Sequence, residues 1–98
     1  MQKKARQHSS NTAQTAFAKR VYAIVAKIPR GQVMTYAAVA KKAGNKGVAR
    51  AVGSLMAKNY NPKVPCHRVI RSDGKIGNYN RGGPKAKRAL LKKEGAIY

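Results

Sequence analysis

Residues 35–58 read TYAAVAKKAGNKGVARAVGSLMAK, and the predicted fold is based on this segment. Thr35 is a favourable N-cap for a helix from Tyr36 to about Ala43. A turn at residues 44–47 contains two glycines and separates this helix from a second one, rich in small residues, from about Val48 to Lys58. Because two short helices joined by a glycine-containing turn are typical of a helix-turn-helix, the sequence predicts that motif here.

Helices are also predicted on both sides of this unit. Apolar residues recur at intervals of three, four and seven from Ala16 to Ile28, which predicts a helix that begins near Ala13 and is stopped by Pro29. A last helix is predicted to start near Pro84, a residue suited to the first turn, and to end near Glu94.

Extended segments complete the predicted fold. Residues 32–34 form a short extended piece, and Arg68–Ile70 and Lys75–Gly77 are expected to pair as a β-hairpin across a Ser-Asp-Gly turn. The predicted fold class is mainly α, a winged-helix-like, helix-turn-helix DNA-binding domain with a small β-hairpin. One domain is expected over residues 13–98, preceded by a flexible basic arm over Met1–Thr12.

The balance of charge favours a polyanionic partner. The 98 residues contain 22 Lys and Arg against two acids, for a formal net charge of +20. Such an excess of cations repels itself unless a polyanion is close, and nucleic acid is the expected partner. An anionic membrane surface is the alternative, but it requires a basic amphipathic helix with a large apolar face.

The sequence predicts neither a membrane span nor a metal site. No apolar run approaches the roughly 20 residues of a span, and no secretory signal opens the chain, so the cytoplasm, the nucleus or the nucleoid is the expected location. A closed zinc site takes four ligands, whereas the chain has one cysteine and two histidines. No cofactor and no metal are therefore expected, and the protein is predicted to be a monomer.

Cys66 and His67, in the sequence PCHRV, are the strongest candidates for chemistry. A lone cysteine is more often a small buried apolar residue than a nucleophile. Here it follows Pro65 in a predicted loop, has a histidine as neighbour and lies among cations, which favour the thiolate. The pair must lie in a turn to cooperate, since adjacent residues of an extended chain point in opposite directions. Glu94 lies at a helix C-terminus, where the helix dipole disfavours an acid, so it is the candidate to orient His67 in a Cys-His-Glu relay.

A set of short motifs, all in one order, carries a resemblance to a known family. They are IPRGQVMTYAAVAKKAG at 28–44, ARAVG at 49–53, PCHRVI at 65–70, GNY at 77–79 and LLKKEG at 90–95. The chain resembles, from about Ala16 to Glu94, the C-terminal active-site domain of the O-6-alkylguanine-DNA alkyltransferases, or methylated-DNA–protein-cysteine methyltransferases. That family usually has a further N-terminal domain, in whose place this sequence has the basic arm.

The resemblance implies a reaction and the residues that perform it. Cys66 is the expected acceptor, which attacks the alkyl carbon on guanine O6 once and irreversibly. His67 is expected to accept the thiol proton through a bound water, and Glu94 to polarise His67. Tyr36 is expected to hydrogen-bond guanine N3, and Asn59 to be the hinge between the recognition helix and the active-site loop.

The resemblance also implies how DNA is bound. The target base lies inside duplex DNA and must be flipped out of it. Arg50 is expected to fill the gap that the base leaves, and the recognition helix to enter the minor groove. The other expected DNA-binding residues are Ala49, Ala51, Gly53, Thr35 and Tyr36. The expected substrate pocket is formed by Val69, Asn80, Arg68 and Lys87.

The expected activity is therefore suicidal, single-turnover DNA repair on double-stranded DNA that contains O-6-alkylguanine. Two alternatives stay open at this point. The first is a non-catalytic, alkyltransferase-like protein that binds the same damage. The second is a plain winged-helix DNA-binding protein in which Cys66 is inert.

Overall fold

A computed structural model of the chain describes residues 16–45 and 47–97. The predicted arm at Met1–Thr12 and the predicted helix start near Ala13 lie outside these residues. The described residues contain four helices, two short strands and one 3-10 turn. The helices are α1 at residues 16–26, α2 at Tyr36–Lys42, α3 at Ala49–Lys58 and α4 at Gly83–Lys93; the strands are β1 at Met34–Thr35 and β2 at Val69–Ile70; the 3-10 turn is Cys66–Arg68.

The predicted helix-turn-helix is confirmed, and α2 and α3 form it. Thr35 caps α2, because its Oγ1 accepts a hydrogen bond from the backbone N–H of Ala38 at 3.0 Å. At the other end of α2, the backbone N–H of Asn45 donates to the carbonyl of Ala40 at 3.0 Å and turns the chain towards α3. Val52 on α3 is fully buried in the same core as Ala40.

Helix α1 covers the back of this unit. Val21 and Val25 are fully buried on the apolar face that the sequence predicts. Two polar contacts fix the helix against its neighbours: Arg20 Nε donates to the carbonyl of Ala43 at 2.8 Å, and the Tyr22 hydroxyl donates to the carbonyl of Leu55 at 3.4 Å. No helix among the described residues is long and apolar enough to cross a membrane.

The predicted β-hairpin is wrong in its pairing. Val69–Ile70 pairs in parallel with Met34–Thr35 instead of antiparallel with Lys75–Gly77. The predicted turn does form, since the N–H of Arg71 donates to the carbonyl of Lys75 at 3.0 Å. The chain then leaves the extended conformation at Gly77, whose φ of +83° belongs to the left-handed region, so the second strand does not form.

The parallel pairing has a consequence for the site. It joins β2, which directly follows the Cys66 turn, to β1, which directly precedes α2. Two segments more than 30 residues apart in sequence are thereby held side by side, and Tyr36 at the start of α2 is brought close to Cys66.

Candidate active site

A small cavity lies between α3, the Cys66 turn and the loop that precedes α4. Its volume is about 270 Å³, close to the lower end of the range for small-molecule pockets, about 300 Å³. It is lined by Tyr36, Gly53, Met56, Ala57, Cys66, Asn78, Tyr79 and Asn80. Cys66 is buried and is one of these wall residues, so a reacting group would meet the thiol inside the cavity.

The Cys66 thiol is placed by the 3-10 turn. The backbone N–H of Cys66 donates to the carbonyl of Val64 at 2.8 Å, and that of Arg68 donates to the carbonyl of Pro65 at 2.9 Å. Cys66 and His67 therefore lie in a turn, the arrangement that the sequence analysis required for the pair to cooperate.

His67 and Glu94 are hydrogen-bonded to each other. His67 Nε2 lies 2.8 Å from Glu94 Oε2, although 26 residues separate the two in sequence. Hydrogen bonds from Arg68 and His67 lower the pKa of the Glu94 carboxyl to about 2, so it is ionised at neutral pH and can only accept. The hydrogen of a neutral His67 ring must then be on Nε2, which leaves Nδ1 as the ring's free acceptor.

Arg68 supports Glu94 instead of lining the cavity. Its Nε and Nη2 donate to the two carboxylate oxygens of Glu94, both at 2.9 Å. Its Nη1 donates to the carbonyl of Ile28 at 2.8 Å. The guanidinium therefore anchors Glu94 to the segment that follows α1, and Arg68 is not among the residues that line the cavity.

Tyr36 and Lys87 form a second polar pair beside the cavity. The Lys87 side chain is fully buried, and its Nζ donates to the Tyr36 hydroxyl at 3.2 Å and to the carbonyl of Asn78 at 3.1 Å. Desolvation lowers the pKa of the Lys87 ammonium to about 8 and raises the pKa of the Tyr36 phenol. Since the Tyr36 oxygen accepts a hydrogen bond from Lys87, its own hydrogen stays free to donate to a ligand.

Two asparagines hold the loops around the cavity. Asn59 caps the C-terminus of α3, is 6% exposed, and donates from Nδ2 to the carbonyl of Val64 at 3.1 Å, just before the Cys66 turn. Asn80 donates from Nδ2 to the carbonyls of Ala57 and Asn59 at 2.9 and 2.6 Å. The loop before α4 is thus fastened to the carbonyls at the end of α3, which the helix itself leaves without partners.

A larger groove opens beside the cavity. Its volume is about 1140 Å³. Of the predicted DNA-binding residues, Ala49, Arg50, Gly53 and Tyr36 line it. Thr35 and Ala51 do not line it.

The remaining predicted pocket residues lie behind the cavity wall. Val69 is fully buried in β2, and Lys87 contacts Tyr36 from behind. Only Asn80 of the four predicted pocket residues lines the cavity itself. Among the described residues, no group of three His, Cys, Asp or Glu side chains could hold a metal ion.

Several residues that line the cavity were not predicted from the sequence. Met56 and Ala57 follow Gly53 at three and four positions on α3, a helical spacing that could have identified them. Tyr79 packs its ring against His67, with centroids 6.2 Å apart and an edge-on angle of 68°. No spacing rule predicts that contact, since it depends on the loop before α4.

Comparisons with known proteins show similarity to one family. The family model described as "6-O-methylguanine DNA methyltransferase, DNA binding domain" matches residues 16–96. A methylated-DNA–protein-cysteine methyltransferase of Methanothermobacter thermautotrophicus is 48% identical over 82 residues, which cover 83% of this chain and 45% of that protein. The chain therefore spans less than half the length of this curated relative.

Two solved structures are similar in fold. The Mycobacterium tuberculosis protein OGT in complex with DNA has a TM-score of 0.74 and 43% identity, covering 80% of this chain and 48% of that one. The Schizosaccharomyces pombe protein Atl1 in complex with damaged DNA containing O6-carboxymethylguanine has a TM-score of 0.72 and 36% identity, covering 81% of this chain and 75% of that one.

Proposed function

Because the chain belongs to the 6-O-methylguanine DNA methyltransferase family, by its DNA-binding domain, we propose that it repairs O-6-alkylguanine in duplex DNA by accepting the alkyl group on Cys66. One observation carries the proposal. The only cysteine of the chain lies in a cavity wall, and the next residue, His67, is hydrogen-bonded to a carboxylate that is ionised at neutral pH.

Cys66 is activated by proton transfer to His67. The free Nδ1 of His67 takes the thiol proton through a water molecule, and the imidazolium that forms is stabilised by Glu94. Arg68 keeps the carboxylate oriented through two hydrogen bonds. Glu94 and Arg68 are positioning residues, because neither lines the cavity.

The thiolate then displaces guanine from the alkyl carbon. A carbon–sulfur bond forms, the bond between that carbon and O6 breaks, and its electron pair passes to the guanine ring. The Tyr36 hydroxyl donates a hydrogen bond to guanine N3, and this hydrogen bond stabilises the negative charge that develops on the ring. The thioether is stable, so each molecule of protein reacts once.

The base must leave the duplex to reach Cys66. A cavity of about 270 Å³ has room for one extruded base, whereas the larger groove beside it is open to a strand of DNA. Unstacking costs a few kcal/mol, and less for a damaged base that pairs poorly. Arg50 inserts into the gap and offsets part of this cost.

A second candidate function is damage binding without transfer. The observation that favours it is the similarity in fold to Atl1, which was solved in complex with damaged DNA containing O6-carboxymethylguanine. The two functions differ in what happens at Cys66, and binding to damaged DNA does not distinguish them.

Intact-mass spectrometry distinguishes the two functions. The protein is mixed with an excess of duplex oligonucleotide that carries one O-6-methylguanine, and with the same duplex carrying guanine as the control. We expect a gain of one methyl group per protein, which peptide mapping assigns to Cys66, and no gain in the Cys66→Ala variant. No gain in the unsubstituted protein, together with preferential binding to the damaged duplex, would instead support damage binding without transfer.

A further inference from the structure

The groove beside the Cys66 cavity has two walls of different character. One wall is the face of α3 with Ala49, Gly53 and Ala57, which recur every four residues and leave the helix surface smooth. The groove and the cavity share Tyr36 and Asn78 as well as Gly53 and Ala57, so the two spaces adjoin. A nucleotide whose base entered the cavity would therefore have this groove beside it for its backbone.

The part of the lining that comes from outside α3 includes three cations. Arg71 and Lys75 come from the turn after β2, and Arg88 comes from the second turn of α4. No carboxylate is among the residues that line the groove. The turn after β2 and helix α4 thus bring three cations together along the groove, where the DNA backbone would pass.

One acid lies next to these cations. Asp73 Oδ2 accepts a hydrogen bond from Arg71 Nη2 at 2.8 Å, and Oδ1 accepts one from the N–H of Lys75 at 3.0 Å. Both side chains of the Arg71–Asp73 pair are exposed, at 55% and 43%. An ion pair this open to water is weak, so a phosphate group can displace the carboxylate.

We propose that Arg71, Lys75 and Arg88 hold backbone phosphates of the DNA strand whose base enters the Cys66 cavity, and that Asp73 competes with those phosphates for Arg71. The inference rests on the proposed function in so far as DNA is the partner, and it adds the strand path and a built-in competitor. The chemistry of the groove favours a phosphate backbone over an acidic peptide, because its smooth wall offers no pockets for side chains and it leads into a cavity of base size.

Two substitutions in one ion pair are expected to have opposite effects. Arg71→Gln removes a phosphate contact and weakens DNA binding. Asp73→Asn releases Arg71 and is expected to strengthen binding about 2- to 5-fold, since an exposed ion pair of this kind is weak. Asparagine keeps an oxygen for the N–H of Lys75, so the turn is preserved.

The test is a set of binding titrations by fluorescence anisotropy, with a labelled short duplex carrying O-6-methylguanine and KCl from 50 to 300 mM. All proteins carry Cys66→Ser, so that no alkyl transfer occurs during a titration. Each phosphate contact contributes about 0.9 to the slope of log K against log[KCl]. The triple variant Arg71→Gln, Lys75→Gln, Arg88→Gln is therefore expected to lower the slope by about 2 to 3.

The matched control removes the same charge elsewhere. Lys27, Lys42 and Lys93 are exposed and do not line the groove, and their triple substitution by glutamine is expected to change the slope by less than about 1. Equal changes in the two triple variants would refute the phosphate path, because only net charge would then matter.

The competition by Asp73 is tested by a double-mutant cycle. If Asp73 acts mainly through Arg71, Asp73→Asn has a smaller effect in the Arg71→Gln background, because only its weaker influence on Lys75 remains; an undiminished effect there would refute the competition. Failure of the proposed function is recognised separately, by the absence of methyl transfer to Cys66 in the unsubstituted protein, whatever the slopes show.

Discussion

Glu94 is held by two donors at once, and this decides how the protein responds to acid. Its folded-state pKa of about 2 lies below the ordinary 4.5. A carboxyl with a depressed pKa stabilises the folded state above its ordinary pKa, and this contribution is lost as the pH falls from about 4.5 towards 2. The chain has only one other acidic side chain, Asp73, so acid unfolding reports on very few groups.

Glu94→Gln is therefore expected to lower the free energy of unfolding at pH 7 by about 2 kcal/mol, because the partly buried Arg68 loses its counter-charge. As the pH falls from about 4.5 towards 2, the difference in stability between the variant and the unsubstituted protein should shrink, and the two should converge near pH 2. Urea unfolding at a series of pH values measures the difference, and Asp73→Asn is the control with an exposed carboxyl. A constant difference from pH 7 to pH 2 would contradict the role given to the Glu94 charge.

Sequence spacing predicts which side chains are buried, but it does not predict which distant residues they contact. Arg68 was predicted to line the pocket, and it donates to Glu94 instead. Lys87 is fully buried on the same face of α4 as Leu91, four residues later, which spacing alone predicts. The Tyr36 hydroxyl that accepts a hydrogen bond from Lys87, however, lies 51 residues away in sequence. Local periodicity shows which face turns inward, whereas the partner of a long polar side chain depends on tertiary contacts.

At the scale of elements, α3 connects the groove to the cavity. Arg50 is exposed at its second position and lines the groove. At the C-terminal end of α3, the carbonyl of Ala57 accepts a hydrogen bond from Asn80, which belongs to the loop that forms one wall of the cavity. A helix anchored in this way can hold DNA at one end without changing the shape of the pocket at the other.

If Arg50 inserts into the duplex as proposed, Arg50→Ala is expected to lower the rate of methyl transfer from duplex DNA by about 10-fold or more, because the contact that offsets part of the cost of extruding the base is lost. Transfer from the free base O-6-methylguanine should change less than about 2-fold, since no duplex is opened. The two rates are measured by intact mass over time, and Lys42→Ala is the control for loss of one exposed cation. Equal losses on both substrates would exclude insertion into the duplex as the role of Arg50.

The elements themselves were largely predictable, but one pairing was not. The N-cap at Thr35, the glycine-containing turn and the apolar spacing of α1 are local signals, and each is confirmed by the structure. The partner of β2 is not encoded locally, because a two-residue strand pairs with whichever edge tertiary packing presents. The glycine at position 77, which adopts a positive φ, was the one local signal against a second strand at residues 75–77.

At the scale of the whole molecule, positive charge opposes the compact state. The formal net charge is +20, and the ion pairs of the described residues gather at only two carboxylates, Glu94 and Asp73. Repulsion between like charges therefore outweighs attraction over most of the surface. Salt screens both repulsion and attraction. Because repulsion is the larger of the two, added salt is expected to stabilise the folded protein.

The midpoint of thermal unfolding is therefore expected to rise with ionic strength. Between 20 and 200 mM KCl the Debye length falls from above 10 Å to below it, so repulsion between neighbouring cations is largely screened. A gain of about 1 kcal/mol would raise the midpoint by about 4–8 °C for a domain of this size. Differential scanning calorimetry measures the rise, and the Lys27→Gln, Lys42→Gln, Lys93→Gln variant should show a smaller one. A midpoint that falls with KCl would mean that the pairs at Glu94 and Asp73 contribute more than the repulsion among the cations.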